Sequence, residues 1–99
     1  MAKAGVFHES LSPHARARMR QRGIDGEALD ILLAYGREAF DHRGSTIVYF
    51  DKAARQRLER EAAPGVHKEL GRLSRVYAVL SGAGEVVTVG HRHRRINRR

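Results

Sequence analysis

The chain has 99 residues, enough for one domain that buries about two thirds of the surface its unfolded form would expose. It contains no cysteine, which excludes disulfides, thiolate metal sites and cysteine nucleophiles together. The net charge of +8 comes from 16 Arg and 3 Lys against 11 acids, and so strong an arginine bias favours bidentate recognition of phosphate over simple solubilisation.

The first predicted element is a helix from Ser12 to Gly23. Ser12 is a good N-cap, Pro13 suits the first helical position, and Gly23 can close the helix in the αL conformation. Successive residues 100° apart put Leu11, Ala15 and Met19 on one apolar seam. Arg22 then projects between Leu11 and Ala15, with Arg18 beside it and His14 one turn earlier, whereas Arg16 and Arg20 point away as a solvated face. Two readings of Arg18 and Arg22 stand side by side. Their stems run along the core edge or pair with carboxylates, or else His14, Arg18 and Arg22, spaced i, i+4, i+8, line a cleft built for an anion.

Asp25 caps a second predicted helix that runs to about Tyr35, with Ala28, Leu29, Ile31, Leu32 and Leu33 as a broad apolar face, and Gly36 ends it. Residues 37–41 and 45–50, separated by His42-Arg43-Gly44, form a predicted hairpin whose second arm is an inner strand. Asp51 caps a third helical segment, KAARQRLEREAA, where Ala54, Leu58 and Ala62 make a thin apolar stripe on a surface helix. Pro64-Gly65 breaks it. Residues 66–74 fit either a loop or a short helix containing Leu70 and Leu73. A second hairpin, Val76 to Leu80 and Glu85 to Val89, turns at Gly82-Ala83-Gly84.

This order, ααββαββ, defines an α+β fold with two N-terminal helices packed on one face of a four-stranded, mainly antiparallel sheet. Residues 1–99 form a single domain, with an ordered core of about 11–91 and a basic tail at 92–99. The stretch His91 to Arg99 has five arginines and no acid. Arg92, Arg94, Arg95, Arg98 and Arg99 are therefore candidate nucleic-acid contacts, and neutralising five phosphates of a single strand would give a salt slope of about −3.5. The first residues of the tail can also continue the last strand. No window approaches a membrane span and the first residues lack a signal-peptide core, so a cytoplasmic location is expected.

Six histidines raise the question of metal, yet His91 and His93 have Arg on either side and no H-E-x-x-H pattern occurs, so no metal and no cofactor are expected. Walker-type loops, G-x-G-x-x-G and G-x-S-x-G are missing as well. His8, His42 and His67 read as exposed loop residues. Cleavage of RNA by its own 2′-hydroxyl needs only proton transfer plus cations that hold the strained phosphate. His14, Arg18 and Arg22, joined by His91 from the end of the last strand, supply such a set. Tyr49, Phe50 and Tyr77 read as packing residues in preference to base-stacking platforms.

His14-Ala15, Arg18-Met19 and Arg22-Gly23-Ile24 resemble the H-A-x-x-R-M-x-x-R-G-I helix that opens members of the bacterial domain-of-unknown-function 4258 family. Val86-Val87-Thr88-Val89-Gly90 resembles that family's closing Val-Thr-rich hairpin. The likeness runs from about Leu11 to His91, and its specific part is the first helix. The family in turn resembles, in element order and size, the RelE-like and barnase-like ribonuclease toxins. That resemblance implies metal-free RNA cleavage on the sheet face beside the helices, and an acidic antitoxin as partner. It assigns catalytic roles to His14, Arg18 and Arg22, with Thr88 as a weaker match; His91 joins them from its place at the strand end. The helix from Lys52 to Ala62 departs from the pattern, since it interrupts an otherwise continuous sheet meander. The leading expectation is a small basic RNA-directed protein, a metal-independent endoribonuclease of toxin type. A non-catalytic nucleic-acid-binding accessory domain and a protein-interaction module recognising an acidic partner are the alternatives.

Overall fold

Ser12 sets the first element. Its Oγ accepts a hydrogen bond from the Ala15 N–H at 3.0 Å, Pro13 follows it, and helix α1 runs over Pro13–Arg22. Gly23 closes α1 at φ 68°, and the Ile24 N–H reaches the Met19 carbonyl at 2.9 Å. The computed structural model describes residues 11–41, 43–61 and 70–92. Ala62, the Pro64-Gly65 break, His8, His42, His67, His93 and the arginines Arg94, Arg95, Arg98 and Arg99 lie outside the described residues.

After α1 come α2 (Gly26–Tyr35), β1 (Arg37–Phe40), β2 (Thr46–Tyr49), α3 (Lys52–Glu61), α4 (Leu70–Leu73), β3 (Val76–Leu80) and β4 (Val86–His91). The anticipated α+β fold is present, and the stretch left open between loop and helix contributes the single turn α4. Asp25 and Asp51 cap α2 and α3, each carboxylate accepting at 2.8 Å from the N–H three residues on. The sheet order is β1-β2-β3-β4 with every neighbouring pair antiparallel, so β2 is an inner strand as expected. Helices α3 and α4 sit in the connection from β2 to β3, yet those two strands still pair directly.

One face of the sheet carries the core. Val48, Phe50, Val76, Ala78, Val86 and Val89 pack with Ala15 of α1, Leu29 and Leu32 of α2, Ala54 and Leu58 of α3, and Leu73 of α4. The four described helices therefore lie on the same side. Fully burying each of these Leu or Phe side chains contributes roughly 1.5–3 kcal/mol. Helix α3 is a surface helix, burying only Ala54 and Leu58.

Arg22 departs from the wheel projection that set it between Leu11 and Ala15. It is exposed, because α1 ends at that residue and no further turn carries the seam across it. Arg20 and Arg22 in the last turn instead complement the negative end of the helix dipole. Arg16 and Arg20 are exposed, as a solvated face requires, and rim a groove of about 290 Å³ with Leu11, Met19, Ile24 and Gly26.

Arginines also join the elements. The Arg57 Nη2 donates to the Tyr35 carbonyl at 3.1 Å and its guanidinium lies over the Tyr35 ring at 5.6 Å, fastening α3 to the end of α2. At that same joint, a Cβ on Gly36 would fall 2.6 Å from the Leu32 carbonyl oxygen and 2.7 Å from Val48 Cγ1. Gly36→Ala should therefore lower the unfolding free energy by about 1–3 kcal/mol in urea titrations. Gly82→Ala, whose Cβ meets nothing nearer than 3.5 Å, should change it by no more than about 0.5 kcal/mol.

Candidate functional site

Helix α1 is held against the edge strand β4 by its first residues. Leu11 forms a parallel bridge with Val86, and the Ser12 N–H donates to the Val86 carbonyl at 2.9 Å. The Ser12 hydroxyl donates to the Val87 carbonyl at 3.2 Å. Val87 is the extra residue of a bulge, since Thr88 pairs with Val79 and Val86 with Leu80. At its other end α1 is tied by Arg72, whose Nη1 donates to the Gly23 carbonyl at 3.4 Å. Arg72 stands just before β3, and the first residue of β3, Val76, pairs with His91. Helix α1 thus runs alongside β4 from its start to its end.

On α1, His14 and Arg18 come together as the i, i+4 spacing anticipates. The Arg18 Nε donates to His14 Nε2 at 3.4 Å. His14 is exposed and Arg18 half-buried. Neither Arg18 nor Arg22 has an ion pair with a carboxylate among the described residues, so carboxylate pairing does not account for them.

The remaining expected site residues do not gather at this pair. His91 lies at the far end of β4, about 13 Å along the strand from the Val87 contact that marks the beginning of α1. Thr88 and Arg92 lie on the opposite face of the sheet. Register decides this: Ala78 and Val89 pair on the core face, as do Val76 and His91, while Tyr77–Gly90 and Val79–Thr88 pair on the other. Among the described elements, no helix packs on that second face.

This face, helix-free among the described elements, has its own chemistry. Arg37, Tyr49, Tyr77 and Gly90 stand opposite one another across the four strands, and Ala39, Ile47, Val79 and Thr88 form the adjoining row. A Cβ on Gly90 would stand 3.1–3.3 Å from the Tyr77 ring, so the missing side chain is what lets Tyr77 lie against β4. Tyr77 packs on the sheet surface, as expected, and is partly exposed. Tyr49 differs: it is 3 % exposed, and its hydroxyl has no hydrogen-bond partner. Phe50 belongs wholly to the core.

Arg92 extends the ladder, its N–H donating to the Arg75 carbonyl at 2.8 Å. Its Nη2 donates to the Phe50 carbonyl at 2.6 Å and its guanidinium sits 5.6 Å from the Tyr49 ring centroid. The residue expected to open the basic tail is thus ordered and built into the sheet. Arg37 binds Asp51 across 3.3 Å while half its side chain stays exposed.

No protein-family model, curated protein or solved structure matches the chain. The site therefore rests on its own geometry. Among the described residues no three His, Asp or Glu side chains are grouped to hold a metal ion, and no helix is long and apolar enough to cross a membrane. Sequence reasoning passed over Arg37 and the exposed side of Tyr77. The alternation of Val76 to Leu80 carried the signal, since a tyrosine between two buried residues points away from the core.

Arg92→Ala should destabilise the fold by about 1–3 kcal/mol in urea unfolding, through the lost bond to Phe50 and the lost contact with Tyr49. Arg92→Lys should recover less than half of that, because an ammonium cannot both reach the carbonyl and lie flat on the ring.

Proposed function

We propose that the protein is RNA-directed and acts as a metal-independent endoribonuclease of toxin type, with Arg18 holding a phosphate and His14 moving a proton. The observation that carries this reading is the His14–Arg18 pair, which has no carboxylate partner among the described residues. In RNA the 2′-oxygen attacks the adjacent phosphorus, the bond to the 5′-oxygen breaks, and a 2′,3′-cyclic phosphate results. His14 takes the 2′-hydroxyl proton at Nε2 once a phosphate draws the Arg18 guanidinium off that nitrogen, and the departing 5′-oxygen takes a proton from water. The Arg18 cation offsets charge that builds on the phosphoryl oxygens in the transition state. The resemblance of the first helix to the domain-of-unknown-function 4258 family supports the same assignment, since its matching positions include these two residues. On the helix-free face, partly exposed Tyr77 offers a ring to a base, with Arg37 in the same row for phosphate.

A second reading, binding without cleavage, is favoured by one observation. His91 and His14 stand at opposite ends of β4, so a two-histidine acid–base couple is not assembled at one phosphate. An acidic partner protein fits the groove beside α1, where Arg16 and Arg20 rim a floor containing Met19 and Ile24.

The two readings separate in one assay. Purified protein, freed of bound chains, should cut single-stranded RNA in EDTA between pH 6 and 8. His14→Ala should slow cutting by about 10²–10⁴-fold while leaving the circular dichroism spectrum unchanged. RNA left intact by the wild-type chain overturns the nuclease reading. If that intact RNA is still bound, and Tyr77→Ala weakens binding by roughly tenfold or more, the binding reading takes its place.

A further inference from the structure

The two edges of the sheet are treated differently. On the β4 side, Leu11 and Ser12 cover the start of the strand. On the β1 side nothing among the described residues pairs with the outer rim. Edges left open are sites of strand addition unless short length, charge or bulges guard them. Strand β1 is short and carries Arg37 and Glu38, but it also carries Phe40, 76 % exposed and the large apolar side chain left outside the core among the described residues.

We propose that β1 pairs with β1 of a second copy of this chain, antiparallel about a two-fold axis through Ala39, making one continuous eight-stranded sheet. Hydrogen-bond parity gives the first constraint. The Asp41 N–H donates to the Ser45 carbonyl at 2.9 Å, and Ala39 and Arg37 follow it in steps of two toward β2. The backbone N–H and C=O groups of Glu38 and Phe40 therefore point outward. Only registers that match these two residues with themselves or with each other form a ladder.

Charge selects among those registers. Centring on Glu38 sets two carboxylates directly opposite, which is unfavourable. Centring on Phe40 shortens the ladder to little more than the hairpin turn. Centring on Ala39 pairs Glu38 with the second copy's Phe40 through backbone bonds, and does so twice. It also sets Arg37 opposite Asp41 on both sides of the axis, so that opposite charges face each other on one side of the sheet while Arg37 keeps Asp51 and the Asp41 Oδ1 keeps the Arg43 and Ser45 N–H groups. The two Phe40 rings lie diagonally across the axis, within reach of each other. Glu38 and Phe40 are exposed on the helix side of β1, so no described helix stands in the way of a second copy. The outcome is independent of RNA, although it would make the two helix-free faces one surface.

The chain has no cysteine, which gives a clean test. About the proposed axis the two Ala39 Cα atoms face each other in a non-hydrogen-bonded pair, about 4.5 Å apart, a separation a disulfide accepts. Nuclease-treated Ala39→Cys protein under mild oxidant should form a covalent dimer of twice 11.1 kDa. It should form roughly tenfold faster than the dimer of Glu38→Cys, whose Cα atoms would stand beyond disulfide reach. Adding Phe40→Pro, which deletes an outward N–H, should suppress the Ala39→Cys dimer while near-native circular dichroism is retained. Absence of the Ala39→Cys dimer overturns the proposal. So does equal or faster crosslinking of Glu38→Cys, or a dimer that survives Phe40→Pro.

Discussion

The hydroxyl of Ser12 donates to the Val87 carbonyl and accepts from the Ala15 N–H, and this pair of bonds governs much of the molecule. Acceptance starts α1. Donation fixes where that start lies, at the bulge of β4. Helix α1 buries only Ala15 completely, so its apolar contacts alone would hold it weakly. With one end fixed at Val86 and Val87 and the other at Arg72, it lies along β4 and turns His14 and Arg18 outward. The same contact covers part of the β4 edge and leaves β1 as the open one.

A second constraint is that one core is all a chain of this size can build. The four described helices bury their apolar sides on one face of four strands, and the alternation of side chains then sends Arg37, Tyr49, Tyr77, Thr88 and Arg92 to the other. Residues close in sequence are thereby separated. His91 and Arg92 are neighbours along the chain and lie on opposite sides of the sheet. Two chemical surfaces result, the flank of α1 and the helix-free face, and β4 is the wall between them.

The arginine excess has more than one use. Arg57, Arg72 and Arg92 each donate to a backbone carbonyl that joins two elements, and Arg37 holds the N-cap carboxylate of α3. These bonds replace contacts that a larger apolar core would have supplied. Arg18 and Arg22 carry no such carboxylate pairing. Charge counted over the chain therefore overstates what is offered to a polyanion, and the position of each guanidinium decides its part.

Much of the local structure was legible in the sequence because its causes are local. Ser12-Pro13, Asp25 and Asp51 start helices through bonds to N–H groups three residues away, and Gly23 ends one through its own φ. The Val-rich arms around Gly82-Ala83-Gly84 pair because they are adjacent in the chain. The His14–Arg18 contact is also local, a single helical turn. By contrast, nothing in the sequence shows that Arg22 would stay exposed at the end of α1, or that Arg92 would reach back to Phe50. The bulge at Val87 offsets the β4 register and register assigns faces, so the separation of His91 from Thr88 and Arg92 was decided in the assembled sheet. The sequence alone determined the elements, their caps and the charge. Tertiary structure decided which side chains share a surface, because burial of one common core chooses the faces and no residue chooses its own.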